Sequence, residues 1–393
     1  MEKIKNIPKI RFKGYIDEWE KDKLINKVIS INTGKSKFKT KRTGKYKILG
    51  STSVIGYDDS YDYEGDFLLT ARVGANAGNL YKSSGKVKIT DNTVFIQGEQ
   101  LDFIYYLLNK FDIKRLSFGT GQPLVKASEL KNQTLYIPLE NQEKKQIGSL
   151  FKNLDEKLEI EREKHEKLVN FKKAMLENVF PKEGEKRPKI RFGGYNDDWE
   201  DYSIERLPGF KSFDKGNGLT KDDLLKNDKY NKAILYGHIF TEYGNYLSEV
   251  KFSTKKFSDK YTFSEIGDLI IPASSTTSDN SIARGLAVNI PNVIYGGDIN
   301  VIRFNNDMTN VFLAYYMDNN FLKNKIFEVV QGTTIHHLYL NNIKDISVSI
   351  PSINEQKLIG SFFKNLDEKI QVSEEKITKI ENFKKAMMDG LFV

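Results

Sequence analysis

A run of cations in the first third of the chain is its most distinctive chemical feature. Residues 34–47 read GKSKFKTKRTGKYK and contain seven cationic residues and no acidic one. The cations are Lys35, Lys37, Lys39, Lys41, Arg42, Lys45 and Lys47. Lys and Arg side chains neutralise phosphates and release their counterions. This segment therefore predicts a mobile basic loop that contacts a polyanion, with an ordinary solvated loop as the alternative.

A second group of residues has side chains that can distinguish nucleic-acid bases. Arg72 and Asn76 follow an apolar run, and in the major groove Arg pairs bidentately with guanine and Asn with adenine. At the same register in the second half of the chain the residues are Ser274, Ser275 and Thr276, which cannot form those pairs. Further candidates come from two Gly-Thr segments and one isolated arginine: Gln122, Thr333, Thr334, His336 and Arg284. All are predicted to contact DNA, and the two halves are expected to prefer different bases.

Motifs for catalysis fail when they are tested one by one. Gly34-Lys35-Ser36 imitates the end of a phosphate-binding loop, but Ile29 stands where that loop requires glycine. No two of the nine prolines are adjacent, which excludes the Asn/Asp-Pro-Pro-aromatic loop of adenine methyltransferases. His336-His337 lacks the spacing of a metal site, and there is no cysteine. We therefore expect no catalytic residue, no metal and no cofactor.

An internal repeat organises the whole chain. The first copy begins with PKIRFKGYIDEWE at 8–20 and the second with PKIRFGGYNDDWE at 188–200, and ten of the thirteen positions match. Two later motifs are also duplicated: FKNLDEK at 151–157 and 363–369, and NFKKAM at 170–175 and 382–387. The blocks between them differ, although a Gly-Asp-apolar segment starts at both Gly65 and Gly267. Duplicated motifs that enclose divergent blocks indicate one task performed on two different targets. The alternative is neutral drift after the duplication.

The duplicated motifs at the end of each copy lie on predicted long helices. Apolar residues recur at alternating steps of four and three, which is the heptad stripe of a coiled coil. In the first copy they are Ile147, Phe151, Leu154, Leu158, Leu168 and Met175. In the second they are Ile359, Phe363, Leu366, Ile370, Ile377, Ile380 and Met387. About 38 residues would span about 57 Å at 1.5 Å per residue. Pairing of the two copies about a pseudo-twofold axis predicts antiparallel helices, with ordinary core helices as the alternative.

The order of lead, variable block and helix, repeated once, resembles the specificity subunits of type I restriction–modification systems of the Gram-positive kind. The PKIRF leads and the paired FKNLDEK and NFKKAM helices carry this resemblance, which covers essentially the whole chain. It implies that two target recognition domains each read one half of a split, asymmetric DNA site, while the helices set the gap. It also implies two docked methyltransferase subunits that methylate adenine, and motor-nuclease subunits for cleavage.

With this resemblance, the predicted fold is α+β. Two target recognition domains, each a twisted β-sheet with helices, are joined by a long antiparallel two-helix coiled coil with pseudo-twofold symmetry. The predicted segments are an N-terminal lead, a first recognition domain, a central helix, a repeated lead, a second recognition domain and a C-terminal helix. Their bounds are 1–20, 21–140, 141–187, 188–200, 201–352 and 353–393.

Bulk composition agrees with this prediction and leaves alternatives open. The 393 residues carry a net charge of +8, and 12% are aromatic, which argues against disorder. The charged N-terminus and the lack of a long apolar run predict a cytoplasmic protein. One alternative is a single-chain modification or nuclease protein whose catalytic part is elsewhere. Another is a coiled-coil scaffold without DNA preference.

Overall fold

The computed structural model describes residues 6–39, 41–116, 123–226, 229–277 and 279–393. The chain divides into two compact units. Unit 1 contains the residues up to Arg162 together with Glu375–Val393, and unit 2 contains Glu163–Glu374. Both divisions fall inside long helices. Each unit therefore contains the beginning of one long helix and the end of the other.

Unit 1 is built on a six-stranded sheet in the order β2-β7-β5-β6-β3-β4, in which only β3 and β6 pair in parallel. A separate antiparallel ribbon joins β1 to β8. The strands are β1 (Glu20–Lys23), β2 (Ser30–Thr33), β3 (Tyr46–Leu49), β4 (Val54–Asp58), β5 (Tyr63–Ala71), β6 (Leu80–Ile89), β7 (Thr93–Gln97) and β8 (Thr134–Ile137). The helices are α1 (Leu101–Phe111), α2 (Ala127–Asn132) and α3 (Asn141–Asn178), of which α3 continues into unit 2.

Unit 2 contains a five-stranded sheet, β10-β19-β15-β17-β12, and a smaller sheet, β13-β11-β18-β14. Two ribbons, β9 with β21 and β16 with β20, complete it. The longer strands are β9 (Glu200–Ser203), β10 (Phe210–Lys215), β11 (Asn231–Ile234), β15 (Asp268–Pro272), β17 (Leu286–Val288), β19 (Ile299–Phe304) and β21 (Ser347–Ile350). The two-residue strands are β12 (Tyr246–Leu247), β13 (Ser253–Thr254), β14 (Thr262–Phe263), β16 (Ser274–Ser275), β18 (Ile294–Tyr295) and β20 (His336–His337). The helices are α4 (Tyr236–Thr241), α5 (Thr309–Tyr316), α6 (Asn320–Phe327), α7 (Leu340–Ile343) and α8 (Ile353–Leu391).

The two Gly-Asp-apolar segments form the central strands β5 and β15. Successive side chains of a strand point to opposite faces. Leu68 accordingly packs toward the helices of unit 1, while Phe67 and Leu69 enter a cluster on the other face of the sheet. In β15, Ile270 occupies one core and its neighbours Leu269 and Ile271 occupy another. Burial on both faces explains why these runs are continuously apolar rather than alternating.

The predicted long helices are present, and within each unit their segments pack antiparallel. In unit 1, Asp155 pairs with Lys384, and Arg162 pairs with Glu381 at 2.5 Å. Residue numbers therefore increase along α3 as they decrease along α8. In unit 2, Lys172 pairs with Asp367 at 2.6 Å. Phe180, just beyond α3, contacts Phe363. These contacts confirm the predicted pairing of the two copies.

The heptad stripe has two environments rather than one. Toward the helix ends, Ile147, Phe151, Met175, Ile359 and Phe363 belong to the hydrophobic cores of the units. Leu158 and Leu366 are buried, and the other stripe residues are partly exposed: Leu154, Leu168, Ile370, Ile377, Ile380 and Met387. At the helix ends the stripe therefore packs as the alternative, ordinary core helices, predicts. There the stripe faces each unit's own domain, because a sheet and a helix supply a wider apolar surface than one partner helix does.

One aromatic cluster closes the core of each unit. In unit 1, the ring of Phe392 lies 6.2 Å from Trp19 and 5.8 Å from both Phe103 and Phe151. The equivalent cluster of unit 2 is formed by Phe180, Trp199, Phe312 and Phe363. Phe392 and Phe180 are repeat-equivalent residues that each follow a long helix. The end of each copy's helix therefore completes the core of the unit that holds the other copy's variable block.

A polar contact set is repeated in the same way. Asp155 accepts hydrogen bonds from the Tyr106 hydroxyl, at 2.7 Å, and from Lys384. Burial and then the hydrogen bond to Asp155 raise the pKa of Tyr106, so its hydroxyl stays protonated as a donor. In unit 2 the equivalent residues are Asp367, Tyr315 and Lys172. The duplicated aspartate of FKNLDEK thus joins three segments in each unit.

Candidate nucleic-acid interface

The basic segment of unit 1 begins on the sheet. The amide of Ser36 donates to the Ile89 carbonyl at 3.0 Å, and the Ile89 amide donates to the Ser36 hydroxyl at 3.0 Å. A Cβ at Gly34 would lie 2.3 Å from the Thr90 carbonyl oxygen, so only glycine permits this approach. The start of the segment is therefore held against β6, and mobility of the loop that follows stays a prediction.

The cations of this segment differ in their partners. Lys35, Lys37, Lys39 and Arg42 are exposed, and none has a carboxylate partner within the described ranges. Lys41 instead pairs with Asp59 at 2.5 Å, and this hydrogen bond raises the pKa of Lys41. Because an exposed pair contributes little to stability, a phosphate can displace Asp59 at low cost. Phosphate contact by these residues stays a prediction.

A lysine–tyrosine stack extends this basic surface across the sheet. The Lys45 ammonium lies 5.4 Å from the Tyr46 ring, the Tyr46 and Tyr61 rings are 5.0 Å apart, and the Lys86 ammonium lies 4.8 Å from Tyr61. Sequence analysis did not single out Tyr61 and Lys86. The alternation of lysine and tyrosine at 45–47 was the available signal, but its partners come from the segment before β5 and from β6.

Arg72 belongs to a cluster of loops in unit 1. Its amide donates to the Asn92 carbonyl at 2.9 Å, and the Ser51 hydroxyl donates to the same carbonyl at 3.2 Å. The loops that contain residues 50–53, 72–79 and 90–92 therefore meet. Asn76 is exposed at the tip of the middle loop and Arg72 is half-buried beside it. Ser51 and Asn92 are neighbours of Arg72 that the sequence did not indicate.

The second predicted loop of unit 1 also reaches this cluster at its described flank. The Val125 amide donates to the Arg72 carbonyl at 2.8 Å, and the Gly74 amide donates to the Pro123 carbonyl at 3.0 Å. Gln122 lies outside the described residues, as do 117–121. The described flank, residues 123–125, is thus adjacent to the loop of Arg72 although about fifty residues separate them.

Unit 2 brings its two predicted segments together through a ribbon. Ser274 pairs with His337 and Ser275 with His336, in antiparallel register. Both serines are 6% exposed and the Ser275 hydroxyl bonds the Thr277 hydroxyl, so both side chains are poorly placed to reach base edges. Thr276, the next residue, is exposed. Of the three hydroxyl candidates, only Thr276 is presented to solvent.

The opposite segment forms a tight exposed turn. The amides and carbonyls of Gln331 and His337 bond reciprocally, at 2.9 and 2.7 Å, and enclose the exposed residues Thr333 and Thr334. Gly332 has φ +102°, and a Cβ there would lie 2.1 Å from the Ile335 carbonyl oxygen, so this turn requires glycine. His336 is half-buried, with its ring 5.9 Å from Phe327. The two threonines are accessible, whereas His336 is partly withdrawn.

Arg284 has a structural contact that the sequence could not show. Its guanidinium donates to the Tyr243 carbonyl at 2.7 Å, and the side chain is half-buried. Tyr243 in turn accepts the Lys251 amide at its hydroxyl, at 3.1 Å. In this position Arg284 ties the loop before β17 to the segment that follows α4. DNA contact by Arg284 stays a prediction.

The aspartates of the two Gly-Asp motifs lie in different environments. Asp66 is exposed, whereas its equivalent Asp268 is fully buried and accepts hydrogen bonds from the Glu265 amide at 2.9 Å and the Tyr295 hydroxyl at 3.0 Å. Burial raises the pKa of Asp268 to about 6, although nearby Arg303 opposes the increase. The buried carboxylate is therefore a pH-dependent element of unit 2.

We expect the contribution of Asp268 to the stability of unit 2 to decrease as pH rises from 4 to 7. The folded pKa of Asp268 exceeds the unfolded one, so the folded state binds the proton more tightly, and this advantage disappears as pH rises through about 6. The difference corresponds to about 3 kcal/mol at pH 7. Hydrogen exchange of unit 2 peptides should show a flatter pH dependence in Asp268→Asn. Asp66→Asn, the exposed equivalent, should leave the dependence unchanged, and an equal effect of both variants would contradict this origin.

Two further properties bear on which functions the chain can perform. Among the described residues, no group of three or more His, Asp or Glu side chains is placed to share a metal ion. Within the same part of the chain, no helix combines the length and hydropathy needed to cross a membrane.

The geometry defines a duplicated α+β protein in which two different loop clusters are carried by one repeated helical framework. The family model described as the type I restriction modification DNA specificity domain matches residues 16–170 and 196–382. The chain therefore belongs to the family of type I restriction–modification DNA specificity proteins.

Individual proteins show the same relationship. The chain is 24% identical over 335 residues to the specificity subunit of the type I restriction enzyme MjaVIII from Methanocaldococcus jannaschii, which covers 81% of this chain and 76% of that protein. It is 23% identical over 361 residues to a Haemophilus influenzae protein provisionally named a type I restriction enzyme specificity subunit. The match covers 88% of this chain and 86% of that protein. The crystal structure of a type I system S subunit from M. genitalium matches with a TM-score of 0.63 at 16% identity, over 98% of this chain and 99% of that one. This structural likeness supports the fold.

Proposed function

We propose that this chain reads a bipartite, asymmetric DNA site as the specificity subunit of a type I restriction–modification complex. Unit 1 reads one half of the site through the loops around Arg72, and unit 2 reads the other half through the loops around Thr276 and Thr333. Catalysis belongs to partner subunits: two methyltransferase subunits, joined by motor-nuclease subunits for cleavage. The helices α3 and α8 set the gap between the half-sites and dock the methyltransferases.

The observation that carries this proposal is the contrast between framework and loops. The Tyr–Asp–Lys contacts and the aromatic clusters are repeated residue by residue in the two units. At the loop clusters the chemistry differs, with Arg72 and Asn76 in one unit and Thr276, Thr333 and Thr334 in the other. Because base identity is read by hydrogen bonds to base edges, such loops suit two unlike targets. A coiled-coil scaffold without DNA preference would not require different side chains in the two loop clusters.

The DNA site can be obtained by methylome sequencing of a host with and without this chain. Replacing Arg72 with glutamine is then expected to relax discrimination at one base pair of one half-site. A good bidentate pair contributes about 1–3 kcal/mol of discrimination, which is about five- to 150-fold in relative affinity. Competition binding at fixed salt, with duplexes altered in either half-site, measures this effect.

Arg42→Gln is the matched control, because Arg42 is an exposed arginine of the same unit that is predicted to contact phosphate. It should weaken binding to all duplexes alike. Equal loss of discrimination at both half-sites in Arg72→Gln would contradict separate reading by the two units. Methylation by the purified chain alone would favour the single-chain enzyme, and binding without any sequence preference would favour the coiled-coil scaffold.

A further inference from the structure

The small sheet of unit 2 carries a lysine–aromatic surface that lies outside the loops assigned above. Strand β11 pairs with β13 so that Asn231 faces Thr254 and Lys232 faces Ser253, and Leu225 extends the pairing to the other side of Ser253. The segments that flank these pairs are thereby brought side by side. They contain residues that are separated by about 25–30 positions in the sequence.

Two lysines of these segments are oriented by aromatic rings. The Lys226 ammonium lies 5.5 Å from the Phe252 ring, which stacks on His238 at 4.0 Å, and the Lys255 ammonium lies 5.2 Å from the Tyr230 ring. Both lysines are exposed. A ring beneath an ammonium group restricts its position without neutralising its charge. Both charges therefore remain available to an anion.

Two of the carboxylates described near this surface are paired with other lysines. Asp223 is occupied by Lys256 at 2.6 Å, and Glu242 is occupied by Lys251 at 3.3 Å. Neither Lys226 nor Lys255 has a carboxylate partner in the part of the chain that the structure describes. Residues 219–261 contain eight lysines and six acidic residues, so the segment has a surplus of two positive charges. Lys226 and Lys255 are two of the eight lysines in this segment.

Two hydrogen bonds link this surface to the loop of Arg284 in unit 2. Phe252 follows Lys251, whose amide donates to the Tyr243 hydroxyl. The Tyr243 carbonyl accepts a hydrogen bond from the Arg284 guanidinium. Arg284 ends the loop that begins with Thr276. A polyanion that reaches the exposed threonines can thus extend over this chain of contacts to the lysines.

We propose that Lys226 and Lys255 are the phosphate-contacting residues of unit 2, positioned by Phe252 and Tyr230 beside its base-reading loops. This inference rests on the proposed DNA-reading function and deepens it. The lysine–tyrosine stack of unit 1, Lys45 with Tyr46, is the same arrangement on an unrelated stretch of sequence. Each unit therefore holds its own duplex segment by the backbone, and neither depends on the basic segment of unit 1 alone.

The test is the double variant Lys226→Gln/Lys255→Gln in the full chain. Each phosphate contact contributes about 0.9 to the slope of log affinity against log salt. The slope for a duplex that carries the methylome-defined site is therefore expected to decrease by about 1.8. Between 50 and 200 mM salt, the variant should lose about tenfold less affinity than the wild type. The preference for that duplex over one altered in unit 2's half-site should be unchanged, because phosphate contacts do not encode sequence.

Lys357→Gln/Lys369→Gln is the matched control. Both lysines are exposed residues of α8 in the same unit, and their replacement removes the same charge. Its slope should stay at the wild-type value. An unchanged slope in Lys226→Gln/Lys255→Gln overturns the inference, and so does an equal decrease in the control. Loss of discrimination at one half-site would also overturn it, because the lysines would then read bases. If the wild-type chain shows no preference for the methylated site, the proposed function itself fails. This outcome is distinguishable from failure of the inference, because it is measured on the wild-type chain.

Discussion

Replacing Phe392 with alanine is expected to lower the free energy of unfolding of unit 1 by about 3–5 kcal/mol. Phe392 follows α8 and is only 4% exposed. Its ring fills the space between Trp19, Phe103 and Phe151. Truncation leaves a cavity that three rigid aromatic rings cannot close.

Hydrogen exchange measured separately on peptides of each unit would detect this change, because a global transition combines two units. Protection should decrease in α1 and β5 and stay close to wild type in β15 and α5. Phe180→Ala, the repeat-equivalent variant, should reverse the pattern. Phe383→Ala is the control on the same helix, because Phe383 is 50% exposed and its truncation should cost less than 1 kcal/mol. If Phe392→Ala behaves like Phe383→Ala, the terminal segment does not complete the core.

Arg11→Met is expected to destabilise unit 1 by about 3–5 kcal/mol, because it leaves a buried carboxylate without a counter-charge. Arg11 donates from Nε and Nη2 to the two oxygens of Glu143, at 2.8 and 2.9 Å. Glu143 is 1% exposed at the start of α3, so water cannot replace the lost donors. The same bidentate pair joins Arg191 to Glu355 in unit 2.

A double-mutant cycle separates the pair from the cost of an orphaned charge. Arg11→Met/Glu143→Leu removes both charges and should recover most of the stability lost in Arg11→Met. Arg187→Met is the exposed control, because Arg187 and Asp198 are both 61% exposed and their pair should contribute less than 1 kcal/mol. Unfolding in denaturant, followed by exchange in each unit, measures the cycle. A double variant as unstable as Arg11→Met would show that the arginine acts through other contacts.

The elements predicted best were those with a strong local pattern. The heptad stripe and the duplicated motifs predicted both long helices, which the structure places at Asn141–Asn178 and Ile353–Leu391. The Gly-Asp-apolar runs marked the central strands, because burial on both faces leaves a continuous apolar sequence. The seam was predicted less well. A heptad pattern records which face of a helix is buried, and it does not record whether a helix or a sheet covers that face.

The exposure of the candidate DNA-binding residues could be predicted only in part, and the reason is the same at each position. Thr276, Thr333 and Thr334 are exposed as expected, whereas Ser274 and Ser275 are covered by the ribbon with His336 and His337. Such pairing joins residues about sixty positions apart, so no local pattern indicates it. Lys226 and Lys255 were missed for the same reason, since each obtains its aromatic neighbour from another segment.

The amino-acid sequence by itself determined the duplication, the order of lead, variable block and helix, the positive charge and the family. These properties are determined locally, because motif identity, charge and heptad spacing are properties of neighbouring residues. Only the tertiary structure decided that the end of each long helix completes a core beside the other copy's variable block. It also decided which of the loop residues face solvent. Both depend on contacts between distant segments, and their free energy comes from burying surfaces that are not neighbours along the chain.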